Sequence, residues 1–112
     1  MKFSIKQENE ISIMSVSGSM SQEHVPLFRG RLQDLIEGGT RFIVLDMKDA
    51  GYISSMGLAV IVDAQTKLAA KDGTIKLARS NYLIKNLLKI TNLCLKIEEY
   101  DYIEDAINSF QQ

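Results

Sequence analysis

Phe3 and Ile5, then Ile11 and Ile13, alternate with polar neighbours on either side of Glu8-Asn9-Glu10. This period-two pattern predicts two strands, 3–7 and 11–17, joined as a β-hairpin. The alternation stops over 18–22, and Val25, Phe28, Leu32, Leu35 and Ile36 then recur at helical spacing. Pro26 falls in the first turn and Gly38-Gly39 at the end, so a helix of about twelve residues is expected. Residues 42–45 are an unbroken apolar run, as expected of a central strand covered on both faces of a partly parallel sheet. From 55 to 71 the period is helical again, with Leu58, Ile61, Val62, Leu68 and Ala69 on one stripe and Gly73 closing the turn.

A further strand is expected over 74–78. Ser80 is placed to cap a helix that buries Ile84, Leu87 and Leu88, and 95–98 reads as a short edge strand. Asp101 and Glu104 have the spacing of a reciprocal N-terminal cap for a last helix carrying Ile103, Ala106, Ile107 and Phe110. The order β-β-α-β-α-β-α-β-α predicts an α/β fold. An opening hairpin leads into a mixed sheet whose helices pack largely on one face, all within one domain spanning 1–112. Functional loops of such sheets gather at the carboxyl ends of strands, which directs attention to the segment between Leu45 and Leu58.

Composition narrows the chemistry. Thirteen Lys and Arg against fourteen Asp and Glu leave a net charge of −1, so no field draws in phosphate backbones, and nucleic acid is not an expected partner. No apolar run approaches the ~20 residues that cross a bilayer, and MKFSIKQENE lacks a hydrophobic signal region, so a cytoplasmic protein without a membrane span is expected. His24 and Cys94 are each alone of their kind, which supplies neither a metal-ligand set nor a disulfide; no metal or cofactor is expected, and Cys94 reads as a buried small hydrophobe. No G-x-S-x-G elbow, P-loop or G-x-G-x-x-G occurs. Asp46 ends a buried strand as a phosphorylated receiver aspartate would, yet the acidic pair that would hold its metal is missing, so it reads as a loop or cap residue. Ser55 with His24 lacks the orienting carboxylate of a hydrolytic pair. The chain reads as one that is bound or modified and not as an enzyme.

Ser54 and Ser55 open the second helix. A serine there serves as an N-cap. It is also a place where an added phosphate would meet free backbone N–H groups and the positive end of the helix dipole. On a helical wheel Met56 and Val60 point outward with Asp63 and Lys67, which makes Ser54, Met56, Gly57, Val60, Asp63 and Lys67 the expected partner-binding set around Ser55.

The stretch FIVLDMKDAGYISSMGLAVIVDA resembles the signature of the STAS domain, and especially of bacterial anti-sigma factor antagonists. In these an apolar strand ending in Leu-Asp leads to Asp-Ser-Ser-Gly-Leu or Asp-Ser-Ala-Gly-Leu at the start of a helix. Gly18, Gly73 and 87–93 also fall at family-like positions. The resemblance implies a STAS-like sheet and a phosphorylation site at Ser55, the serine that aligns on Gly57-Leu58. It implies binding, in the unphosphorylated form, to an anti-sigma factor that is also a serine kinase, so that a sigma factor is released and transcription is regulated. It further implies resetting by a metal-dependent serine/threonine phosphatase, with Mg-ATP belonging to the kinase. Ser54 stands where the family has aspartate and Met56 where it has a small residue, so Ser54 is the alternative acceptor. A non-switching scaffold subunit of a stressosome-like or lipid-transport complex is the alternative function, and homo-oligomerisation is left open.

Overall fold

The computed structural model describes residues 1–110. Strands β1 (Lys2–Glu8) and β2 (Ile11–Met20) form the opening hairpin, and a 3-10 turn at Gln22–His24 leads into α1 (Val25–Glu37). Then follow β3 (Phe42–Ile53), α2 (Ser55–Ala69), β4 (Thr74–Ala78), α3 (Tyr82–Ile90), a 3-10 turn at Leu93–Leu95, β5 (Glu99–Tyr100) and α4 (Ile103–Ser109). The five strands lie in the order β1-β2-β3-β4-β5; the first pair is antiparallel and the others are parallel. The expected element order and mixed sheet are both present.

Parallel crossovers share one handedness, so a sheet that grows in one direction puts its connecting helices on one face. The larger core lies there, with Phe28, Leu32 and Ile36 of α1, Leu58, Ile61 and Leu68 of α2, and Ile84 and Leu88 of α3 packed on Met14, Ile43, Leu45 and Leu77. Helix α4 comes after the last strand and is free of that rule. Its Ala106 packs on the opposite face with Ile11, Ile13, Val44 and Ala78. Residues 42–45 are therefore covered on both faces, as their unbroken apolar run requires. Gly73 packs so closely on the Arg41 backbone that a Cβ there would collide with the carbonyl, whereas the left-handed residue of that turn is Asp72.

Several boundaries and caps differ from the sequence reading, and the first is the end of β2, expected at residue 17 and found at Met20. The strand expected to end at Leu45 runs on to Ile53, because β3 carries extra residues against β2: Ser15 pairs with Asp46 but Ser17 with Asp49, and Gly18 pairs with Ala50 but Ser19 with Tyr52. Each bulge resets which face the next side chain takes. Met47, Ala50 and Ile53 all reach the core at a spacing of three, which hides the strand from a period-two reading. Helix α3 is capped by Asn81, whose Oδ1 accepts from the Ile84 N–H at 3.0 Å; Ser80 is buried instead, with its hydroxyl unpartnered among the described residues. The expected edge strand at 95–98 is a 3-10 turn followed by Ile97 in the core, and β5 starts at Glu99. Asp101 does not cap α4; its carboxylate takes the Lys85 ammonium at 2.5 Å. Cys94 is exposed and not buried.

A serine at the head of helix α2 beside an apolar groove

The carboxyl end of β3 is fixed from both sides before α2 begins. The Ser54 N–H donates to the Met20 carbonyl at 3.1 Å, tying the junction to β2. The Ser54 side chain is the N-cap, with Oγ accepting from the Gly57 N–H at 3.1 Å. Four N–H groups at a helix head have no intrahelical partner. With those of Ser54 and Gly57 engaged, the N–H groups of Ser55 and Met56 are left at the positive end of α2. The two adjacent serines are thus distinguished: Ser54 is occupied as a cap and partly buried, and Ser55 is exposed at the first helical position.

The partner-binding set expected from the wheel is divided by the packing. Val60, placed outward on the wheel, is only 2% exposed, because α1 lies against that flank of α2 and buries it with Leu32 and Ile36. Asp63 faces the same way and pairs with Arg29 of α1 at 3.6 Å and with Lys67 at 3.1 Å. Gly57 is buried against Met20 and Ile53. Met56 remains exposed, one turn before Val60 on the same stripe of α2 and outside the lining of the groove beside Ser55. A wheel shows only that a residue lies off the main stripe; it does not show which neighbouring helix fills that direction.

On its other flank Ser55 borders a groove of about 290 Å³ lined also by Tyr52, Ile53, Leu83, Asn86, Leu87 and Ile90. Leu83 is 63% exposed and Ile90 69%, and Tyr52 and Tyr82 are exposed beside them. The apolar surface next to the serine therefore comes from α3 and the end of β3 and not from α2. The signal for it was present in the sequence: YLIKNLLKI carries more apolar residues than one buried face of a nine-residue helix can use. Solvent-exposed apolar side chains gathered round one groove are the usual mark of a contact surface.

Helix α3 is held in place by two devices that sequence reasoning missed. The Asn81 Nδ2 donates to the carbonyls of Ala50 and Gly51, at 3.2 and 3.1 Å, in the part of β3 that runs on past its last pair with β4, Asp46–Ala78. Arg79 adopts a left-handed φ of 58° and sends its guanidinium back onto the sheet, where Nε and Nη2 donate to the two oxygens of Asp46 at 3.0 and 2.6 Å. Burial by itself would raise the Asp46 pKa. The hydrogen bonds from Arg79 and the Lys48 N–H, with the Arg79 charge, outweigh it and hold the carboxyl below its ordinary value. Asp46 is thus a structural ion-pair member, neither a loop residue nor a free acceptor.

His24 precedes α1 and contacts the Ser21 hydroxyl through Nδ1 at 3.0 Å; it does not line the groove. Among the described residues no cluster of three or more His, Cys, Asp or Glu could hold a metal ion, and no helix is long and apolar enough to cross a membrane.

The STAS domain model matches residues 2–106. A Thermotoga neapolitana protein that carries the provisional name anti-sigma factor antagonist is 27% identical over 110 residues, covering 97% of each chain. The crystal structure of a Thermotoga maritima protein with the same provisional name superposes with a TM-score of 0.93 at 25% identity, over 98% of this chain and 95% of that one. The anti-sigma factor antagonist SpoIIAA of Bacillus, solved in unphosphorylated and phosphorylated forms, shares the fold: its unphosphorylated form superposes with a TM-score of 0.78 at 15% identity over 98% of each chain.

Proposed function

The chain belongs to the STAS domain family, and on that premise we propose that it is an anti-sigma factor antagonist whose partner binding is switched by phosphorylation of Ser55. The observation that carries this reading is the placement of an exposed, non-capping hydroxyl on the rim of the α2–α3 groove. In the unmodified state the groove offers Leu83, Leu87 and Ile90 to an apolar surface of the anti-sigma factor. A partner kinase transfers the γ-phosphoryl group of its Mg-ATP to the Ser55 Oγ: an O–P bond forms, ADP leaves, and the hydroxyl proton passes to the kinase. The product places about −1.5 to −2 charges at the α2 N-terminus, where the free N–H groups and the helix dipole accommodate it without unfolding. The docked partner must then desolvate a dianion inside an apolar contact, and it dissociates.

In this reading the chain supplies the switch and the binding surface. The kinase and a metal-dependent serine/threonine phosphatase supply the chemistry, and the sigma factor is released while the antagonist is unphosphorylated. The protein acts in the cytoplasm, with the STAS domain as its binding module.

Incubation with cell extract and ATP followed by peptide mass spectrometry is expected to find one added phosphate on Ser55. Ser55→Ala should bind the anti-sigma kinase as the unmodified protein does, and Ser55→Asp should bind it more weakly. Phosphate on Ser54 alone would move the switch by one residue and contradict the capping argument. Ser54 in place of the motif aspartate, with Met56 beside it, favours a second reading, a constitutive scaffold subunit; no phosphate under any condition, with both variants binding alike, would decide for it.

A further inference from the structure

The sheet has two edges, and they are unequal. β5 offers two residues, Glu99–Tyr100, whereas β1 offers seven, Lys2–Glu8, paired on one side only. All but one of the β1 residues are exposed, including Ile5 at 43%. Leu27 of α1 is a further exposed apolar residue at 49%. A long free edge is a template for another strand, and lysines along it ordinarily discourage pairing.

The sequence of this edge is complementary to itself. When two copies of KFSIKQE run antiparallel about a two-fold axis at Ile5, Lys2 faces Glu8 of the second copy, Phe3 faces Gln7, Ser4 faces Lys6, and Ile5 faces Ile5. Moving the axis to Ser4 puts Lys2 opposite Lys6, moving it to Lys6 puts that lysine opposite itself, and half-step registers set Ile5 against a polar residue. Directly opposed charges of unlike sign stabilise an antiparallel pair and like charges destabilise it. The lysines and Ile5 together thus select one register.

We infer that β1 is a homodimerisation edge, joining two copies of this chain into one continuous sheet through an Ile5-centred antiparallel pairing. Such a contact is isologous, and it supplies on the order of six to eight backbone hydrogen bonds whichever alternate residues point outward. It buries less than the ~800 Å² per partner of a standard interface, so the pair is weak and concentration-dependent. The α2–α3 groove is lined by no β1 residue and stays open in both copies, which makes the dimer bivalent.

Sedimentation equilibrium on the whole chain, from about 10 µM to about 1 mM, is expected to show a monomer–dimer equilibrium. K2E and E8K should each weaken it by roughly tenfold, since each turns two opposite-charge pairs across the seam into two like-charge pairs. The double variant K2E/E8K should restore it; circular dichroism confirms that all three are folded. In a Cys94→Ser background, Ile5→Cys should form an intermolecular disulfide on mild oxidation, because opposed Cα atoms about 4.5 to 5.5 Å apart suit one. Ser4→Cys, displaced from its own copy by about 7 Å or more, should not. A monomer at every concentration, equal cross-linking of the two cysteine variants, or a double variant as weak as the singles would overturn the inference.

Discussion

Replacing Asp46 with asparagine keeps the shape of the side chain and removes the charge that Arg79 holds. The carboxylate accepts Nε and Nη2 of Arg79 at 3.0 and 2.6 Å and the Lys48 N–H at 3.2 Å. An asparagine keeps one acceptor oxygen and turns an NH₂ group toward a guanidinium donor, so at least one charge-assisted hydrogen bond and the ion pair are lost together. Hydrogen bonds to charged groups contribute about 1.5–3 kcal/mol. Because the Arg79 side chain is 35% exposed, water recovers part of the loss, and a destabilisation of about 2 kcal/mol at pH 7 is expected, or roughly 8 °C in Tm for a chain of this size.

The pH dependence has a definite sign. The folded pKa of Asp46 lies below its unfolded value of about 3.9, so its contribution is fully present above that value and is lost as pH falls through the lowered folded pKa. The gap between wild type and Asp46→Asn should therefore be constant from pH 7 to about 5 and shrink below about 4. Glu99 runs the other way: burial raises its folded pKa despite the Ser80 N–H it accepts, so its effect favours the fold at low pH and fades as pH rises through the raised value. Glu99 is common to both proteins and cancels in the difference. Urea unfolding followed by circular dichroism between pH 7 and pH 3 measures the gap. Amide exchange over Tyr82–Ile90 should also quicken in the variant, since Arg79 anchors the turn before α3. A gap below about 0.5 kcal/mol at pH 7, or one unchanged at pH 3, would show that the ion pair does not hold this junction.

Gly57→Ala tests the close packing at the head of α2. Alanine gains up to ~1 kcal/mol in helix propensity. Its Cβ would, however, meet Met20 Sδ at 2.7 Å and Ile53 Cγ1 at 2.8 Å, and overpacking costs about 1–3 kcal/mol, so a net loss of about 1 kcal/mol in urea unfolding is expected where simple propensity predicts a gain. Val60→Ala separates packing from recognition: removing two buried carbons between α1 and α2 should cost about 2 kcal/mol of stability, and the folded protein should bind its partner unchanged. A stability change within about 0.5 kcal/mol accompanied by weaker partner binding would return Val60 to the docking surface.

The amino-acid sequence determined the order of the elements, the central position of 42–45 and the position of the two serines at the head of α2, because each depends on local periodicity and on capping chemistry that a few neighbouring residues decide. It did not determine the length of β3, since a bulge is a mismatch between two strands and Met47, Ala50 and Ile53 look unpatterned until β2 lies beside them. Only the packed molecule decided which serine caps and which is free, because the choice turns on the Ser54 N–H reaching Met20, thirty-four residues earlier in the chain. The tertiary structure likewise removed Val60 from the surface and supplied the groove beside Ser55 from α3. Long-range neighbours decide which of a helix's apolar directions are filled and which are left to a partner.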